Sequence, residues 1–172
     1  HQRGAQQGQG QPDGIAAQFE GYLQDGNWLE TARHANAMAQ RNRAFVPGTL
    51  IVPRGANVAF PNLDNVRHSI YSFSKPARFK IDLYGQYQTR TQQFKVAGTI
   101  ALGSNIHDKM LAYIHVVDTP YFGLTDSTGQ SHIDIPSGKH TVLVWSPSMG
   151  ETQPPISSTM STGGPVTLKI KG

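Results

Sequence analysis

Short apolar runs of four to seven residues, each closed by a Gly, Pro or Asn turn signal, set what this 172-residue chain can fold into. Residues 49–52 end at Pro53-Arg54-Gly55, and 57–60 end at Pro61-Asn62. Residues 79–83 follow a Ser-Lys-Pro turn, 91–96 end at Ala97-Gly98, and 99–102 end at Gly103. The run 111–117 (LAYIHVV) is strongly β-like; 132–135 leads into Pro136-Ser137-Gly138, and 140–145 and 166–170 complete the set. Strands this short, about 8–12 residues apart, read as a sandwich or barrel. No strand alternates with a long helical pattern, which argues against an α/β fold. One segment stays open: 31–44 (TARHANAMAQRNRA) is rich enough in Ala for a helix, but its apolar pattern is poor and extended structure fits equally well.

Composition agrees. Charged residues are 15% of the chain, beside 18 Gly and 11 Pro, and low charge with many turn formers favours an all-β fold. No run approaches the about 18 consecutive apolar residues of a membrane helix. With no cysteine, disulfides, thiolate zinc sites, iron–sulfur clusters and cysteine nucleophiles are excluded. The net charge of +4 is spread without a basic run, so a solvated surface is expected and no nucleic-acid partner. Phosphate loops, nucleophile elbows and paired-carboxylate motifs are missing, and no enzyme is expected. The opening HQRGAQQGQG has no apolar h-region, as a chain looks once a signal has been removed.

Residues 1–14 stand apart. They hold five Gln, four Gly and a single apolar residue, so they form a polar N-terminal arm with nothing to bury, and 15–172 form the domain. Such an arm is expected to be held by contacts outside its own domain, from a neighbouring copy, with folding back on its own domain or a crystal contact as the alternatives. His1 with its amino group is a weak second candidate for chelating copper, since its Gly/Gln surroundings do not preorganise it.

Two segments carry chemistry. In 60–73 (FPNLDNVRHSIYSF) a strand runs into a loop bearing His68. In 98–110 (GTIALGSNIHDKM) Ser104, His107 and Met110 follow one another closely, again where a strand reaches a loop. A histidine from one loop, then Cys, His and Met on another, is the ligand set of a blue-copper site, in which two imidazoles and a thiolate form a plane and a long thioether tunes the potential. Here Ser104 stands at the thiolate position. Asp108 is a solvated neighbour or a partner of His107; Asn62 and Asp64 are expected to fix the loop through Asx turns. His115 shares a strand face with Tyr113 and Val117, and His132 and His140 flank an exposed hairpin.

The runs PNLDNVRHSIYSFSKPARFKIDLY, GTIALGSNIHDKMLAYIHVVDTPYFGLTDSTGQ, IPSG and VLVWSP resemble the cupredoxin-like periplasmic proteins of the methylamine-utilisation or plastocyanin-like group, over roughly residues 40–148. The resemblance implies a cupredoxin-like Greek-key sandwich with extra C-terminal strands, transthyretin-like around 125–146, and a periplasmic or secreted location. It also implies a copper site at His68, Ser104, His107 and Met110. The family has cysteine where this chain has Ser104, and usually histidine where it has Ser146. A hydroxyl is a hard, neutral ligand, so the implied site is non-blue or vestigial. Ser104 is either natural or a substituted cysteine; the lack of any Cys and the second departure at Ser146 favour the natural origin. The expected partners are a redox protein, if copper is held, and copies of the chain itself, built into filaments through the arm or the C-terminal strand.

Overall fold

The structure, a computed structural model, describes residues 36–104 and 107–162, with residues 107 and 108 described by their backbone only. The strands in chain order are β1 (Ala39–Arg41), β2 (Ala44–Val46), β3 (Thr49–Pro53), β4 (Asn57–Pro61), β5 (His68–Ser72) and β6 (Phe79–Tyr84). They continue as β7 (Thr89–Gln93), β8 (Gly98–Ser104), β9 (His107–Val117), β10 (Lys139–Val144) and β11 (Ile156–Ser161). A 3-10 turn at Pro147–Met149 is the sole helical element among the described residues. The expected all-β sandwich is what forms. None of these elements is a helix long and apolar enough to cross a membrane.

One layer is a five-stranded sheet, β3-β9-β8-β5-β6. Its β3–β9 pair is parallel and the others are antiparallel. The other layer joins β4 to β7, and the β1–β2 hairpin lies beside β4 through parallel bridges at Ala37–Ala59 and Gln40–Asn62. Alternating side chains point between the layers, because a strand turns each successive residue to the opposite face. Leu50 and Val52, Val58 and Phe60, Ile100 and Leu102, and Met110, Ala112, Ile114 and Val116 fill that space with Met38, Phe45, Ile70, Tyr84 and Phe94. The Tyr84 phenol donates to the Phe60 carbonyl (2.8 Å), bridging the two layers; burial pushes its pKa up.

The described part of 31–44 takes the extended structure, one of the two the sequence leaves open, and several other elements differ from the sequence reading. Ala37 and Ala39 pack against Leu63, and Asn42 and Arg43, at φ 50° and 58°, make a two-residue hairpin turn that no helix contains. His68 opens a strand instead of waiting on a loop. The run 91–96 pairs earlier than expected, as β7, leaving Phe94 buried beyond it. Residues 132–135 form no strand; they lie along an irregular, exposed stretch. β11 (ISSTMS) goes unseen in the sequence because it is polar. The arm 1–14 and the run 166–170 lie outside the described residues.

The segment after β9 lies on the outer face of the large sheet. Trp145 packs edge-on to Tyr113 (5.1 Å) and stacks on His115 (5.6 Å), while its indole N–H donates to the Gly150 carbonyl (2.9 Å). The Ser74 hydroxyl accepts from the Ala101 amide (2.9 Å) and donates to the Glu151 carboxylate, clasping the segment to β8. His115, bonded to the Thr99 hydroxyl at 2.8 Å, shares the face with Tyr113 as expected, and burial under the indole lowers its pKa from 6.5. An unfolded chain therefore takes up that proton at higher pH than the folded one. The stability that neutral His115 contributes is complete above about pH 6.5 and is lost as pH falls below it. Thermal melts from pH 7.5 to 5 should show Tm falling on acidification, with a shallower fall in His115→Phe; parallel slopes would show that His115 is not responsible.

Candidate metal site

β4 leads into a hydrogen-bonded knot. Asn62 is fully buried, and its side-chain oxygen accepts from the Asp64 amide (2.9 Å), the Asx turn expected of it. Its side-chain nitrogen donates to the carbonyls of Val66 (2.9 Å) and Tyr84 (3.1 Å). Its backbone donates to the Gln88 carbonyl (2.9 Å) and accepts from the Tyr87 amide (2.6 Å). One residue thus ties β4 to β6, to the turn before β7 and to the loop before β5.

Asp64 does more than fix that loop. Its Oδ2 accepts from the Arg43 amide in the β1–β2 turn (2.9 Å) and from His68 Nε2 (2.7 Å). The imidazole is wholly buried and the carboxylate nearly so. In the tautomer that donates Nε2–H to the carboxylate, Nδ1 is the ring's acceptor nitrogen. A carboxylate orienting one ring nitrogen so that the other can bind a metal is the usual support of a metal-ligating histidine.

The topology brings the other candidates to this end. β5 runs antiparallel to β8 with Tyr71 opposite Gly103, so the start of β5 lies beside the end of β8, where Ser104 sits. Gly103 is needed there, since a Cβ would fall 2.6 Å from the Tyr71 ring. Ser104 pairs with His107 across the β8–β9 hairpin, after a register shift that places Met110 next to Leu111 opposite Gly103. His68, Ser104 and Met110 are all buried on the inner face. The Ser104 hydroxyl makes no hydrogen bond with any described residue. His107 opens β9, but its side chain and that of Asp108 lie outside the described residues. Ser146 caps the 3-10 turn, where its hydroxyl accepts from the Ser148 amide. His132 is exposed beside Asp134 (2.9 Å), and His140 is half-buried with Nε2 on the Pro136 carbonyl (2.7 Å); both lie in or beside the exposed hairpin. Among the described residues no three His, Cys, Asp or Glu side chains form a metal cluster. A site here depends on a hydroxyl and a thioether beside imidazole.

Two residues escaped the sequence reading: Asp64 as the partner of His68, and Gln40, buried on the facing layer. The i,i+4 spacing of Asp64 and His68 is the one signal that pointed to the first.

No protein-family model matches the chain, and no curated protein matches its sequence. Among solved structures, part of it is similar to the Cu-containing nitrite reductase (NirK) from Thermus scotoductus SA-01. The two are 22% identical over 48% of this chain, with a TM-score of 0.46, and the match spans 22% of the reductase. Amicyanin is also similar: a proline-to-glycine mutant in its reduced Cu(I) form at pH 4 is 20% identical over 48% of this chain and 82% of its own, TM-score 0.46. A Cu(I) methionine-to-alanine mutant of amicyanin is 18% identical over 49% of this chain and 83% of its own, TM-score 0.46.

The knot makes a prediction. Asn62→Ala removes three side-chain hydrogen bonds in a buried place and should cost about 3 kcal/mol. The exposed neighbour Asn65→Ala should cost under about 0.5 kcal/mol. Urea unfolding of both variants checks the contrast.

Proposed function

We propose that the chain is a secreted or periplasmic cupredoxin-like protein that holds copper without a thiolate, through His68, Ser104, His107 and Met110, and that it is not an enzyme. The supporting observation is the buried His68 imidazole, aligned by the Asp64 carboxylate at the end of the sheet that also carries Ser104 and Met110. The donor set fits the metal. Imidazole nitrogen and thioether sulfur suit copper, and the buried Ser104 hydroxyl sits in the thiolate's place as a hard neutral group. Copper held this way lacks a thiolate charge-transfer band, so the protein lacks the intense blue colour of a thiolate site. Asp64 orients His68, and Met110 supplies the soft donor.

Purified protein titrated with Cu(I) and Cu(II) should bind one equivalent, with no strong band near about 600 nm. Ser104→Cys should create that band, because it restores the anionic sulfur to a plane with imidazole. Asp64→Asn should weaken binding by about 10–100-fold. Absence of copper binding in the wild-type chain refutes the reading; a Ser104→Cys variant that binds Cu(II) without a charge-transfer band refutes the placement of Ser104.

A second reading, self-assembly into a structural filament, is favoured by the β10–β11 ribbon. It pairs with no third strand among the described residues, and Leu143 (64%) and Ile156 (39%) are exposed on it. An unpaired ribbon offers its edges to a strand from another copy. Light scattering on the full chain and on a chain lacking residues 1–14 tests it. The full chain should be multimeric and the shortened one should not; two monomers would end the reading.

A further inference from the structure

We propose that Gln40 is a further residue of this site, offering its carboxamide oxygen to copper in the oxidised, Cu(II), state; the inference rests on the copper reading above. Gln40 is fully buried; its Nε2 faces the Tyr84 phenol, and its Oε1 makes no hydrogen bond with any described residue. The Ser104 hydroxyl is in the same condition. Buried amides are nearly always paired, and an orphan one marks a place where a partner belongs.

The position of Gln40 follows from the strands. Along the extended run into β1, Met38 enters the main core while Ala37 and Ala39 turn to the small cluster with Leu63, so Gln40 shares the inward face of Met38. A parallel bridge sets Gln40 level with Asn62, and its carbonyl accepts from the Leu63 amide (2.8 Å). Asn62 in turn binds the Tyr84 carbonyl, and Tyr84 stands opposite His68 across β5–β6. The Gln40 side-chain nitrogen faces the Tyr84 phenol oxygen and pulls that group's pKa down against the larger upward push of burial, while the hydroxyl itself donates to Phe60. Gln40 thus comes from the small layer to the end of the sandwich that receives His68, Ser104 and Met110 from the large one.

Chemistry fixes the oxidation state. An amide oxygen is hard and neutral; it serves Cu(II) as a weak axial donor and does little for Cu(I), which prefers the Met110 sulfur and imidazole. Where the thiolate is missing, a further oxygen matters most for the harder ion.

The experiment titrates wild type, Gln40→Leu and Gln40→Glu with Cu(II) and, anaerobically, with Cu(I), and measures the Tm of each metal-free chain. Gln40→Leu should lose about tenfold in Cu(II) affinity and keep its Cu(I) affinity, raising the reduction potential by about 59 mV. Its metal-free form should melt no lower than wild type, because the orphan oxygen goes with the amide. Gln40→Glu, which keeps an oxygen and adds charge, should bind Cu(II) more tightly than wild type, and it carries the test if the leucine variant does not fold. Equal losses for both ions, or a lower metal-free Tm in Gln40→Leu, would show a structural role and overturn the proposal. Wild-type binding with both variants unchanged overturns it while leaving the copper reading standing. A wild-type chain that binds neither ion removes the copper reading and this inference together.

Discussion

The side chains of Asn62 and Asp64 hold the described fold in register at one end. They meet the β1–β2 turn through the Arg43 amide, β6 through the Tyr84 carbonyl, and the start of β5 through His68. The bonds to Tyr84 and His68 are buried, so a lost partner there would leave a desolvated group behind, while the one to Arg43 is part-buried. The apolar core between the layers is non-directional and would tolerate sliding; these directional bonds do not. They explain how a two-residue hairpin with few contacts of its own is kept against β4, and why Arg43 holds a left-handed backbone with its amide aimed inward.

The sequence reading was strongest where apolar alternation was strong. β3, β4, β8 and β9 carry alternating apolar residues between clear turn signals, and each forms close to where it was expected. β5 and β11, with the sequences HSIYS and ISSTMS, are mostly hydroxyl-bearing residues and a histidine with few apolar ones among them, and their sheet partners make them strands. The Ala-rich stretch before residue 44 is open between helix and extended structure in the sequence, and the bridges to β4 decide it. At the candidate site, the ligand-like residue types and their spacing were legible because they lie near one another in sequence. Asp64 was read as a turn former, which it partly is. Its bond to His68 needs the loop to be closed by Asn62, and Gln40 comes from the opposite layer, so neither role has a local signature.

The site end is also where the structure is least saturated. Gln40 and Ser104 place buried polar atoms without hydrogen bonds in a sandwich whose other inward residues are almost all apolar. A chain shaped only for stability would fill those positions with Leu and Ala or Val. Their retention alongside a carboxylate-aligned imidazole concentrates polar cost at one point, as functional sites do.

The parallel pairing of β3 with β9 has a consequence for the order in which the molecule is made. Thr49 finds its partner in Tyr113, and Pro53 in Val117. At the about 5–20 residues per second of synthesis, β3 leaves the ribosome several seconds before anything exists for it to pair with. Part of the small layer waits less, since β1, β2 and β4 are neighbours in the chain and β4 needs only β7, which precedes β9. The nascent protein therefore carries an early part that can begin to assemble as it emerges and a large sheet whose first strand must wait for its neighbour. During that interval the exposed β3 backbone is open to strands of other nascent chains, and a cell making this protein has reason to keep it shielded until β9 arrives.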